Sequence, residues 1–139
     1  MVQAKVKWVD GLRFVGEATS GHAIVLDADR EVGGTNTGVR PTELLLIGLG
    51  GCSGMDVASV LQKKKQKISG VEMNVQGQKA QDYPQKFTEI DIEFVVTGKD
   101  LSEEAVRKAV ELSMTKYCSV KATLEGTAKI SYRYRIVQE

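Results

Sequence analysis

Alternation opens the chain. Val2, Ala4, Val6 and Trp8 fall on one side of an extended segment and Gln3, Lys5 and Lys7 on the other, the period of two expected of a half-buried strand. Asp10-Gly11 follows and predicts a type I′ hairpin turn, because glycine tolerates the positive φ that turn requires. A second strand is expected from Leu12 to about Glu17, and Thr19-Ser20-Gly21 marks another turn. A third strand over His22–Asp27 holds Ile24, Val25 and Leu26. Residues 28–38 (ADREVGGTNTG) carry no period and read as a surface loop.

Pro41 changes the pattern. Proline at a first helical position is pre-set in φ and loses nothing by lacking an N–H, so a helix is predicted from there to about Lys67, stopped by Ser69-Gly70. Gly48, Gly50, Gly51 and Gly54 lie inside it. Each glycine costs about 1 kcal/mol against alanine, so the four together cost on the order of 4 kcal/mol. Close approach of another backbone is the usual offset. The alternative is a strand followed by a glycine turn; the breaker-free stretch from Asp56 to Lys67 favours the helix.

Val71, Met73 and Val75 alternate with Glu72, Asn74 and Gln76, giving a fourth strand, and residues 80–86 turn the chain. A fifth strand has the cleanest alternation, Ile90, Ile92, Phe94 and Val96 against Glu89, Asp91 and Glu93. Asp100 with Glu103 forms a capping-box pattern. The second helix then runs to about Tyr117, with Val106, Ala109, Val110, Ser113 and Tyr117 on one stripe and Cys118 at or just past its end. After a short irregular or helical piece, Ile130, Tyr132, Tyr134 and Ile136 form a last strand. The order βββ-α-ββ-α-β is α+β, not alternating βαβ. Residues 1–139 read as one domain with no repeat or linker.

Composition narrows the chemistry. Lys and Arg number 19 against 18 Asp and Glu, a net charge of +1, so no bulk field draws nucleic acid or an anionic membrane. The charge-free run Leu44–Met55 has 12 residues, against the roughly 17–25 needed to span a bilayer. The opening MVQAKVKW lacks the apolar core of a signal peptide, and a cytoplasmic location is expected. Cys52, Cys118 and His22 are the only soft ligands, with no CxxC spacing; neither a structural zinc site nor a cofactor is expected. In a reducing compartment the two thiols are either inert core residues or redox-active ones.

Several features read as ordinary. Lys63-Lys64-Lys65 and Lys67 suit the last turns of a helix. Tyr132-Arg133-Tyr134-Arg135 is the two-sidedness of a strand. Cys52 stands apart. At 100° per residue it shares a helix face with Leu45, Gly48, Leu49, Met55 and Asp56. An apolar burial would keep it neutral and inert, whereas small neighbours leave room beside the sulfur, and a second cysteine waits at a helix end 66 residues later.

The stretches RPTELLLIGLGGCSGMDVASVL and FVVTGKDLSEEAVRKAVELSMTKYCSV resemble the OsmC/Ohr organic hydroperoxide reductase family, in its YhfA-like branch. The resemblance covers nearly the whole chain and rests on Pro-x-Glu-Leu…Gly-Gly-Cys joined to Lys-Tyr-Cys-Ser-Val. It implies an OsmC-like fold, an antiparallel sheet with a long central glycine- and cysteine-bearing helix, in an intertwined homodimer. It also implies reduction of small organic hydroperoxides by a Cys52/Cys118 pair, recharged by a dithiol of the lipoyl type. Family members lower the attacking thiol's pKa with an Arg held by a Glu. Arg13 is the first candidate for the Arg and Arg40 the second; Glu43 is the candidate carboxylate.

The pattern departs at one point. A carboxylate directly after the proline is usual, and this chain has Thr42 there and Glu43 one later. Glu43 precedes Cys52 by nine residues, about 900° of helix and hence the opposite face. It is either a catalytic carboxylate or a first-turn one favoured by the helix dipole. Three functions follow from the reading: a hydroperoxide reductase, a non-catalytic binding or stress protein on the same fold, and a thiol redox sensor.

Overall fold

The computed structural model describes residues 1–139. The chain gathers into two units, Met1–Leu45 and Leu46–Glu139. In the first, β1 (Ala4–Asp10), β2 (Arg13–Ala18) and β3 (Ala23–Leu26) form an antiparallel sheet in chain order. The β1–β2 turn falls where Asp10-Gly11 places it, but only Gly11 takes positive φ, at 49°. A type I′ turn needs two such residues, so the turn is of another type. β1 alternates as expected, yet its apolar side is not covered: Val6 is 58% and Trp8 65% exposed. Residues 28–38 are a loop containing one 3₁₀ turn, Arg30–Val32, capped by Asp29 and closed by Gly33 at φ 98°.

α1 (Pro41–Lys63) runs on into the second unit. It stops short of the predicted end because Lys65 takes φ 57°. The Lys65 N–H then donates to the Gln62 carbonyl and the Gln66 N–H to the Leu61 carbonyl, both at 2.9 Å, which is the Schellman arrangement with lysine at the left-handed position. Ser69-Gly70, the expected stop, lies within the next strand at a break in register.

β4 (Lys67–Lys79) pairs antiparallel with β5 (Phe87–Lys99), and β6 (Lys129–Gln138) pairs parallel with β5 on its other side. The second sheet is therefore mixed where the resemblance implies an antiparallel one. The helical crossover between β5 and β6 carries the chain back along the sheet, and a connection of that length is what parallel pairing requires. That crossover begins with α2 (Glu103–Leu112). Its N-cap is Ser102, whose Oγ accepts the Ala105 N–H at 3.2 Å. Asp100 is not the cap: at φ 51° it turns the chain two residues earlier.

Leu49, Ser53, Val57 and Leu61 recur every four residues along α1, and all are fully buried. The three apolar members share one core with Ile90, Ile92, Phe94 and Val96 of β5 and Val106, Ala109 and Val110 of α2. α1 is 23 residues long with a mean hydropathy of 1.7 over its most apolar window, enough by length and composition alone to cross a bilayer. Its buried stripe makes it the core helix of this unit. Two of its four glycines meet β4. A methyl on Gly50 would lie 3.3 Å from Val75, and one on Gly54 would strike the Met73 thioether. At Gly48 and Gly51 a methyl would meet nothing within 4 Å.

Candidate functional site

Cys52 stands on α1 beside the buried Ser53 and is itself half-buried. Cys118 follows an unusual end to the second helix. After α2 the backbone widens into one π-turn, Ser113–Tyr117, closed by the Cys118 N–H donating to the Ser113 carbonyl at 2.9 Å. Cys118 then turns extended and caps α3 (Ser119–Leu124), its sulfur accepting the Lys121 N–H at 3.4 Å. Cys118 is 5% exposed.

These elements bring the two thiols together. The sulfurs of Cys52 and Cys118 and a carboxylate oxygen of Asp56 all lie within 4.8 Å of one another, and both cysteines are free. Asp56 is one helical turn after Cys52. Its Oδ2 accepts a hydrogen bond from the Ser113 hydroxyl at 2.9 Å, and that hydroxyl also lies 3.4 Å from the Ser53 carbonyl. Burial pushes the Cys118 thiol up to about 11, and the neighbouring Cys52 and Asp56 push in the same direction, against the lowering effect of the Lys121 N–H. Two acidic neighbours beside a buried sulfur both disfavour a second negative charge. A groove of about 410 Å³ opens onto Asp56, with Val60, Leu112 and Tyr117 as its larger apolar walls.

Arg13 and Glu43 belong to the first unit, and each has partners there. Arg13 donates to the Thr37 hydroxyl at 2.9 Å and to the Thr35 hydroxyl at 2.8 Å, with Asp10 at 3.4 Å and Asp27 at 3.9 Å. Both threonine hydroxyls donate in turn to Asp27 Oδ2, at 2.7 and 2.6 Å. The buried Asp27 carboxylate also accepts the N–H groups of Ala28, Thr35 and Thr37. Those hydrogen bonds, Thr37's first, hold it well below the usual carboxylate range. The arrangement ties residues 35–37 to β3. Glu43 closes on the start of its own helix, Oε1 accepting the Arg40 N–H at 2.7 Å, which is the reach-back half of a capping box. The interaction seen for Glu43 is thus the helix-terminal one. Arg40 donates to the Gly38 carbonyl at 3.1 Å and faces Asp29 at 3.6 Å.

Ser113 is the site residue that the sequence reading passes over. It sits on the apolar stripe of the second helix as a polar member, and a serine in such a stripe signals a partner held inside. That partner is Asp56.

Comparison with known proteins agrees with this architecture. The family model described as "OsmC-like protein" matches residues 34–133. Protein YhfA of Escherichia coli (strain K12) is 42% identical over 139 residues, covering 98% of each chain. The crystal structure of a hypothetical protein from Aquifex aeolicus VF5 superposes with a TM-score of 0.81 at 29% identity, over 99% of this chain and 98% of that one. An organic hydroperoxide resistance protein OsmC from Legionella pneumophila shares the fold, with a TM-score of 0.70 at 19% identity over 100% and 97% of the two chains. With a family model covering most of its length and a relative matched nearly end to end, this chain belongs to the OsmC family.

Proposed function

We propose that this protein is a cytoplasmic thiol peroxidase that reduces organic hydroperoxides through Cys52 and Cys118. The observation that carries the reading is the convergence of two free cysteine sulfurs within 4.8 Å, from segments 66 residues apart in sequence. The hydroperoxide resistance protein that shares the fold supports the same chemistry. Unequal burial assigns the roles. Cys52 is half-buried and reachable, whereas Cys118 is enclosed and holds its proton.

The Cys52 thiolate attacks the terminal peroxide oxygen, the O–O bond breaks, and the alkoxide takes a proton to leave as the alcohol. Cys52 is then a sulfenic acid. The Cys118 sulfur displaces its hydroxyl, the thiol proton goes to the departing hydroxide as water, and a disulfide remains. Bond formation brings the sulfurs from within 4.8 Å to about 2.05 Å, a movement that the irregular helix end at Cys118 accommodates. An external dithiol of the lipoyl type returns both thiols. The adjoining groove combines Val60, Leu112 and Tyr117 with Asp56, Ser59, Lys63 and Lys64, and its apolar part suits the organic group of a peroxide. The reading includes a homodimer, since Ile47 and Met55 of α1 are 56% and 75% exposed and the space above Gly48 and Gly51 is open; a second copy of the same helix suits such a surface.

Steady-state turnover tests the proposal. With a dihydrolipoyl compound as reductant, cumene or t-butyl hydroperoxide should be consumed faster than hydrogen peroxide, and Cys52→Ser should abolish consumption. A single stoichiometric oxidation without turnover would make the protein a redox sensor instead. Cysteines that stay reduced under excess peroxide would make it a binding protein.

A further inference from the structure

The same three side chains form a donor set that redox chemistry does not exhaust. We infer that the reduced protein binds one thiophilic divalent cation, of the zinc or cadmium kind, through Cys52 Sγ, Cys118 Sγ and a carboxylate oxygen of Asp56. Three atoms no more than 4.8 Å apart all lie within about 2.8 Å of a common point, 4.8 Å divided by √3. Zinc takes sulfur at about 2.3 Å and carboxylate oxygen at about 2.0–2.2 Å. The donors therefore need to close by well under 1 Å each. Two of them sit one turn apart on α1, and the third is at the helix end that already departs from regular geometry.

The surroundings are those of a ligand set. Ligating carboxylates are held by hydrogen bonds from a second layer of groups, and the buried Ser113 hydroxyl holds Asp56 in that way at 2.9 Å. That bond occupies one oxygen and leaves the carboxylate free lone pairs for a cation. The Lys121 N–H directed at Cys118 Sγ steadies a metal-bound thiolate. Two thiolates select a borderline or soft ion over magnesium or calcium. Three protein ligands leave a fourth position open, the pattern of reactive and not of structural zinc sites, and a groove opens onto one of the three, Asp56. The expectation of no metal rests on counting cysteine and histidine, and Asp56 escapes that count. The inference stands apart from the peroxidase proposal. A bound cation draws electron density from the sulfur that would attack a peroxide, so metal loading should slow peroxide reduction.

Cadmium titration of the reduced full-length protein, in metal-free buffer with a non-thiol phosphine reductant, is the test. One equivalent should produce a saturating cadmium–thiolate charge-transfer band, and magnesium should produce none. Cys52→Ser or Cys118→Ser should each remove at least half of the band. Ser113→Ala should keep the band but weaken binding by roughly 10–100-fold, and Asp56→Asn, which alters a ligand itself, should keep the band and weaken binding by a larger factor. A wild-type protein with no saturable band at stoichiometric cadmium overturns the inference, as does unchanged affinity in folded Asp56→Asn. Should the variants fail to fold, wild-type protection decides: one equivalent of zinc should shield Cys52 from the iodoacetamide that labels it in the metal-free protein, and unchanged alkylation of Cys52 overturns the assignment.

Discussion

Replacing Gly51 by leucine separates a covered α1 face from a bare one by the sign of its effect. No atom lies within 4 Å of a side chain begun at Gly51 in the single protomer. On a bare helix the substitution therefore brings only helix propensity, a gain of about 0.8 kcal/mol over glycine. If a second copy packs there, four added carbons enter a filled contact, and overpacking costs about 1–3 kcal/mol. The net result for a dimer is thus neutral to destabilising by about 2 kcal/mol, where a monomer would be stabilised. Urea denaturation at two protein concentrations, with light scattering on the same samples, reads both quantities, because dimer stability depends on concentration. The dimer proposal expects wild type near twice the 15.2 kDa of one chain and Gly51→Leu shifted toward the monomer. A wild-type mass near 15.2 kDa at micromolar concentration, with Gly51→Leu more resistant to urea, would mean that this face of α1 is bare.

Cys118→Ser should leave the first attack intact but let Cys52 progress to sulfinic acid over repeated peroxide additions, visible by mass spectrometry. The alkylation profile of Cys118 should have its half-point near 11, raised from 9.0, and Asp56→Asn should lower it by removing a like charge. Because the folded chain holds that proton more tightly than the unfolded one, reduced wild type should lose stability as pH rises from 9.0 toward about 11. Cys118→Ala should remove that loss in alkaline urea titrations. Asp27 carries the opposite sign: its depressed value contributes stability above the usual carboxylate range that disappears as pH falls through it. Asp27→Asn should therefore flatten the acid limb of a stability profile and expose residues 28–38 to proteolysis.

The strands of the second sheet were legible because β4 and β5 alternate cleanly, whereas the buried face of α1, Leu49, Val57 and Leu61, is not the one drawn through Cys52, on which Leu45 and Met55 are exposed. Boundaries were less so. Lysine at a left-handed position stopped α1 at Lys63, a conformation that lysine does not advertise. The capping-box pattern at Asp100 was overruled by a turn that left the N-cap to Ser102. β1 obeyed its period yet stayed exposed, since alternation reports which residues could be covered and not whether anything in the same chain covers them. The pairing of Cys52 with Cys118 came from resemblance, because contact across 66 residues has no local signature. Ser113 was visible as a polar break in an apolar stripe, but its partner on another helix was not. Glu43, read two ways from its position, is found closing the start of its own helix.

One single-turnover experiment tests the thiol chemistry most directly. Reduced protein is mixed with one equivalent of cumene hydroperoxide, quenched with an alkylating agent and mapped by peptide mass spectrometry. A Cys52–Cys118 disulfide should form together with one equivalent of alcohol, and should return to two thiols on addition of a dithiol. Stoichiometric peroxide that leaves both cysteines alkylated would contradict it.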